Sequence, residues 1–385
     1  MTNQKGPLTT PKHTRVTGSS HLANPLRLSY GSSMADDPFQ RRFAANASLL
    51  PHMADLANDR VLVALLAEPD YRAASFLDQR LLTDRIGREW VPWDALPDLG
   101  AAAPRPDFIF HIGHVGSTLV SRLLAEASDV LPLREPMLLR TLAQVAERIE
   151  RPESVWSPDL YQTRQGQALG WLGRGFGPGQ RAMVKASSVI TAIADDLTEA
   201  DGRSLFLYAS LRRYIATILA GEASLAETLA QAPARMARLA AMLPDLDAAL
   251  WQLPPVTRVA MSWLCEMATA QRTLPPGDPR HLWIDFEAML ASPAAALAAQ
   301  VAHFGLIPDP ERIDAAIAGP IMRQYSKSPD HSYSPDLRRE LQAQAEATHA
   351  AAIGEAIAWV EALAARYTSL GDLPIHNDQE ITCSS

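Results

Sequence analysis

The stretch Gly113-His114-Val115-Gly116-Ser117-Thr118 combines residue types that suit the binding of an anion. Two glycines followed by two hydroxyl residues, at the head of a helix, bare several backbone N–H groups beside the positive end of the helix dipole. That is a seat for phosphate or sulfate. Glycine lets the backbone close on the anion and takes positive φ at little cost. Upstream, Phe108, Ile109, Phe110 and Ile112 form a short apolar run with the length of a buried strand. Downstream, Leu119, Val120, Leu123 and Leu124 fall at helical spacing. The reading is strand, glycine turn, helix. The nucleoside-triphosphate version of such a loop ends in Gly-Lys-Ser/Thr, whereas Gly116-Ser117-Thr118 carries no lysine, which weighs against an ATPase or GTPase. Two glycines alone suit an ordinary tight turn in an α/β protein equally well.

Other chemistry-bearing residues sit where strands should end. Arg181–Val184 reads as a strand leading to Lys185, with Ser187 or Ser188 placed to cap the next helix. Ser204–Tyr208 runs into Arg212 and Arg213, and His281–Asp285 into Glu287. Short strands alternating with helices imply parallel βαβ units, whose carboxyl ends converge on one crevice. The expected fold class is therefore α/β, a three-layer P-loop NTPase-like fold with a central parallel sheet and extra alanine-rich helices.

Around that core the pattern divides the chain. Residues 1–37, rich in Ser, Thr, Pro, Gly and Asn, read as a disordered extension. Residues 38–100 read as a helical cap, 101–345 as the P-loop domain, and 346–385 as a C-terminal helix and tail. At 385 residues, with 47% apolar and 20% charged residues, the composition is that of an ordinary water-soluble protein. A net charge of −8 gives no global attraction for nucleic acid or an anionic membrane, so a bound anion must be met by a local cluster of donors. Cys265 and Cys383 form no metal-ligand spacing and suggest a reducing compartment. With no membrane-length apolar run and no signal-peptide core, a cytoplasmic protein is expected.

Residues 106–340 resemble, in scattered blocks, the sulfotransferases that use 3′-phosphoadenosine 5′-phosphosulfate (PAPS). Phe108–Thr118 is similar to the family's 5′-phosphosulfate loop and the leucine-rich helix that follows it. Leu133-Arg134-Glu135-Pro136, with Glu135 nineteen residues past Gly116, resembles the tyrosylprotein-sulfotransferase-like branch, whose glutamate at that spacing is the catalytic base. Ser204–Leu219 looks like the strand and helix of the 3′-phosphate site, and Leu282–Leu306 like the family's late Glu, Leu, Pro and Phe-Gly block. Two positions depart from the pattern: His114 replaces the loop's usual basic residue, and Ala209 the arginine that opens the 3′-phosphate motif.

The resemblance implies a sulfotransferase moving a sulfuryl group from PAPS to a hydroxyl or amine of a small-molecule or peptide acceptor, with no metal required and no nucleic acid or membrane as partner. Glu135, His114 and Lys185 would be catalytic. Gly113, His114, Val115, Gly116, Ser117 and Thr118 would hold the phosphosulfate, Arg212 and Thr217 the 3′-phosphate, and Lys327 with Ser326 would fold over the nucleotide. Competing readings are a P-loop phosphotransferase using a nucleoside triphosphate, and a nucleotide-binding protein without catalysis.

Overall fold

The computed structural model describes residues 38–198, 202–323, 335–371 and 373–375; the expected extension 1–37 and the candidates Ser326 and Lys327 lie outside them. Among the described residues, eight strands form two sheets. The first is antiparallel, β1 (Leu49–Asp55), β2 (Arg60–Leu65) and β3 (Arg88–Pro92), paired in that order. The second is wholly parallel: β4 (Asp107–His111), β5 (Leu131–Arg134), β6 (Ala182–Lys185), β7 (Ser204–Tyr208) and β8 (His281–Asp285), in the order β5-β6-β4-β7-β8.

β4 is central and buried along its whole length, as a strand covered on both faces must be. Its neighbours pair Ile109 with Lys185 and with Leu205, and β5 pairs Arg134 with Lys185. These registers bring the carboxyl ends of all five strands to one edge. The helix Ser117–Ala127 follows β4 directly and packs with Pro293–His303 and Pro310–Ala318. A second group surrounds Pro255–Thr273, which packs with Leu211–Leu219, Glu222–Met242 and Ala350–Arg366. A central parallel sheet between helical groups, with a glycine turn after its middle strand, is the expected P-loop-type α/β fold.

Residues 38–100 depart from the expected helical cap, since they hold the antiparallel sheet. Leu62, Leu65 and Leu66 fall at helical spacing, but the run Arg60–Leu65 contains β-branched Val61 and Val63, and Val61–Ala64 are all buried. A strand buried on both faces shows no alternation to read. The boundary at 345/346 falls inside the helix Pro335–Thr348, and a further helix, Ala350–Arg366, follows. No described helix is long and apolar enough to cross a membrane.

Candidate active site

The loop after β4 is shaped by backbone conformation. Gly113, His114 and Gly116 all have positive φ, at +89°, +54° and +68°. Gly116 could be nothing else, because a Cβ there would lie 2.0 Å from Cζ of Phe286. The His111 ring anchors the turn from below: its Nδ1 accepts from Gly113 N–H at 2.9 Å, so Nε2 carries the hydrogen donated to Ala186 O at 2.9 Å. His114 Nε2 stands 3.4 Å from Glu227 Oε2, on the helix Glu222–Met242. Ser117 and Thr118 are buried in the first helical turn, where Thr118 Oγ1 finds no hydrogen-bond partner among the described residues. A buried hydroxyl at the mouth of an anion loop is a donor in want of an acceptor.

Beside the loop, β5 and β6 deliver the charged pair. Glu135 directly follows β5, at φ +55°, and its N–H donates to Lys185 O at 2.7 Å. One carboxylate oxygen is ion-paired with Lys185 Nζ. The other accepts from Arg140 at 2.8 Å and from Ser187 Oγ at 3.1 Å. Arg140 also donates to Ser187 Oγ at 2.9 Å, and the Phe76 ring lies 5.5 Å from Lys185 Nζ. Burial pushes the Glu135 carboxyl upward, but Lys185 above all, with Arg140 beside it, outweighs burial and holds the group at about 2. Glu135 is thus a carboxylate at any physiological pH.

Arg134, adjacent in sequence, makes no pair with Glu135. It turns to the opposite side, where Nη1 donates to Tyr71 O, Arg72 O and Ala74 O at 3.3, 3.2 and 2.6 Å, and Nε to Ser121 Oγ at 3.1 Å. These bonds tie the end of β5 to the chain leading out of the helix Glu68–Ala73. Burial, then Arg122 and Arg72, lower the Arg134 guanidinium to about 9.

One cavity of about 1150 Å³ gathers the candidates: Gly113 to Thr118, Glu135, Lys185 and Thr217 all line it. Arg212 is not among its lining residues. Arg213 is paired with Glu346 at 3.1 Å, and Thr217 Oγ1 donates to Arg213 O at 2.8 Å while accepting from Gln342 at 2.7 Å. Ala209 is buried, and its carbonyl accepts from Trp263 Nε1 at 2.9 Å, so that position belongs to the core. Asp285 caps the helix that begins at Phe286, accepting from Glu287 N and Ala288 N, and Glu287 grips Arg338 bidentately. Ser187 does not cap the following turn as expected; its hydroxyl is drawn to Glu135 instead.

Several lining residues escaped the sequence reading. Arg140 sits four residues into an apolar helix start, and Arg235 and Arg238 resemble ordinary surface charges of an alanine-rich helix. Only the spacing of Arg235 and Arg238, three residues apart and therefore on one helix face, hinted at a shared target.

The fit to PAPS differs between the two ends of that molecule. The loop amides, the hydroxyls of Ser117 and Thr118, and Lys185 suit a phosphosulfate, whereas at the other end Arg213 and Thr217 already have partners within the chain. No family model and no curated protein matches the chain. Among solved structures it is similar to a sulfotransferase domain from the curacin biosynthetic pathway, at 15% identity and a TM-score of 0.36 over 61% of this chain and 86% of that one. The sulfotransferase domain from the Synechococcus PCC 7002 olefin synthase gives 14% and 0.33, over 63% and 86%. A sulfotransferase from Alicyclobacillus acidocaldarius gives 15% and 0.33, over 69% and 99%.

Proposed function

We propose that the chain transfers a sulfuryl group from PAPS to a hydroxyl or amine. The observation that carries this reading is the Glu135 carboxylate, with 13% of its side chain exposed, ion-paired with the buried Lys185 in the cavity that the lysine-free glycine loop lines. Sulfuryl transfer needs in-line positioning, donors for the sulfonate and the leaving phosphate, and a base for the acceptor proton. The loop amides with Ser117 and Thr118 would hold the phosphosulfate, Lys185 would face the sulfonate oxygens, and His114 the bridging oxygen. Thr217 would serve the 3′-phosphate by exchanging its bond to Arg213 O for one to the phosphate, with Arg212 and Lys327 as the cations proposed from the sequence.

Glu135 would take the proton of the acceptor. Its resting partners make it a weak base, because Lys185 and Arg140 stabilise the charged form. An anion entering the loop draws on the same cations, and each contact it takes raises the proton affinity of Glu135. A base tuned in this way is strengthened when the donor is in place. The test is release of adenosine 3′,5′-bisphosphate from PAPS in the presence of mixed phenols, alcohols and amines. Turnover by the wild type that falls by about 10²–10⁴ in Glu135→Gln is expected. Equal rates for the two proteins would remove Glu135 from the reaction, and release no faster than in buffer would count against the transferase.

A further inference from the structure

Opposite the loop, the cavity wall is built by the helix Glu222–Met242, and it carries a charge imbalance. Arg235 Nε and Arg238 Nη2 both lie 2.8 Å from the same oxygen of Glu266, a carboxylate with no solvent exposure. Two guanidinium groups thus share one carboxylate. The neighbouring groups do not offset the excess. Arg238 Nε donates to Cys265 Sγ at 3.2 Å, but burial raises the Cys265 thiol, which stays neutral. Burial likewise pushes Tyr214 to about 12. Glu227, on the same helix, faces His114, while Asp195 and Asp196 act on Tyr161 on the helix Pro158–Leu172.

Arg235 is buried and Arg238 only partly so, and a second guanidinium held against one carboxylate leaves a positive site that an anion can share. Arg235 marks where that anion would sit relative to the chemistry. Its Nη2 donates to Ser188 Oγ at 3.3 Å, and Ser188 Oγ is the nearest atom, at 3.8 Å, to where a Cβ on Gly113 would be. Arg238 lies about one helical turn further from the loop. It retains 20% side-chain exposure and lines the cavity among Ala234, Ala237 and Ala241. An acceptor that places its hydroxyl at Glu135 therefore meets, beyond Gln231, a stretch of alanines that carries the two arginines, of which Arg238 is the more exposed.

The geometry points to Arg238, supported by Arg235, as the subsite for a carboxylate carried by the acceptor, so that the substrate class is a hydroxy acid with an apolar aromatic or aliphatic body. This rests on the sulfuryl-transfer reading for the role of Glu135, but the charge imbalance does not. The test is calorimetric titration of 4-hydroxyphenylacetate and of 4-methylphenol, with and without adenosine 3′,5′-bisphosphate, into wild type, Arg238→Met and Arg238→Lys. The expected result is that the wild type prefers the carboxylate and that Arg238→Met weakens it by at least about 30-fold while leaving 4-methylphenol unchanged. Arg238→Lys, which keeps the charge, should retain part of the preference.

Removing Arg238 leaves Arg235 and Glu266 as a balanced pair, so Arg238→Met should melt no lower than the wild type. A variant that fails to fold or melts well below it would make Arg238 a structural partner of Glu266 and overturn the proposal. Equal affinity of the wild type for the two phenols would do the same. Loss of nucleotide binding in Arg238→Met, with carboxylate binding intact, would reassign the pair to the donor. Carboxylate preference without any nucleotide binding would instead sustain the subsite and defeat the PAPS reading.

Discussion

Glu135→Gln has consequences that can be worked out from the structure before any substrate is known. The carboxyl is lowered from the usual 4.5 to about 2 in the folded chain. A group depressed on folding contributes stability above its unfolded pKa and loses it as pH falls through the folded value. The shift corresponds to about 3 kcal/mol at neutral pH, of which about 2 kcal/mol is lost between pH 5 and pH 3. Glutamine cannot titrate, so the stability difference between wild type and Glu135→Gln should shrink by that amount over that interval. Taking the difference cancels the other carboxylates, whose titration is common to both proteins. Urea unfolding at pH 7, 5, 4 and 3 measures it. A difference that stays constant with pH would mean that the Lys185–Glu135 pair is not formed in solution. In the pH profile of kcat/KM, which reports the unliganded enzyme, Glu135 should contribute no acid limb between pH 5 and 8.

Two other substitutions test the scaffold. Gly116→Ala puts a Cβ 2.0 Å from the Phe286 ring at a φ of +68°. It should destabilise by about 2–4 kcal/mol from left-handed strain and overpacking, read as a lower urea midpoint, and should weaken nucleotide binding; an unshifted midpoint would refute the close contact. Arg134→Met strips the carbonyls of Tyr71, Arg72 and Ala74 of a charged donor and should cost about 2–4 kcal/mol. Limited proteolysis should then cut first within residues 66–82, and a cleavage pattern like that of the wild type would contradict the tether.

Local patterns in the sequence reached the strands and the loop but not the pairings. Ser204–Tyr208 and His281–Asp285 are found where read, because each is an apolar run bounded by polar residues. Leu131–Arg134 was not read as a strand, since Pro132 interrupts four residues that only the register with β6 makes a strand. That register is what joins Glu135 to Lys185, fifty residues away, and nothing local to either residue announces it. Ser187 shows the same limit in reverse: a serine ahead of a helix looks like a cap until the Glu135 carboxylate competes for its hydroxyl. Arg212 and Thr217 are the 3′-phosphate ligands expected by position, but the partners that hold Arg213 and Thr217, Glu346 and Gln342, come from a helix more than 120 residues later.

The central claim, a PAPS-type donor at this loop, is tested most directly by thermal stabilisation with adenosine 3′,5′-bisphosphate, AMP, and ATP with Mg²⁺, each at equal concentration. A ligand at 100 times its Kd stabilises by about 2.7 kcal/mol, well within reach of a melting curve. The expected order places adenosine 3′,5′-bisphosphate clearly above AMP, because one more doubly charged group is held, and above ATP, because the loop lacks the lysine that reaches the outer phosphates. Equal stabilisation by adenosine 3′,5′-bisphosphate and AMP would mean that no 3′-phosphate site exists, and a larger effect of ATP with Mg²⁺ would point to a phosphotransferase.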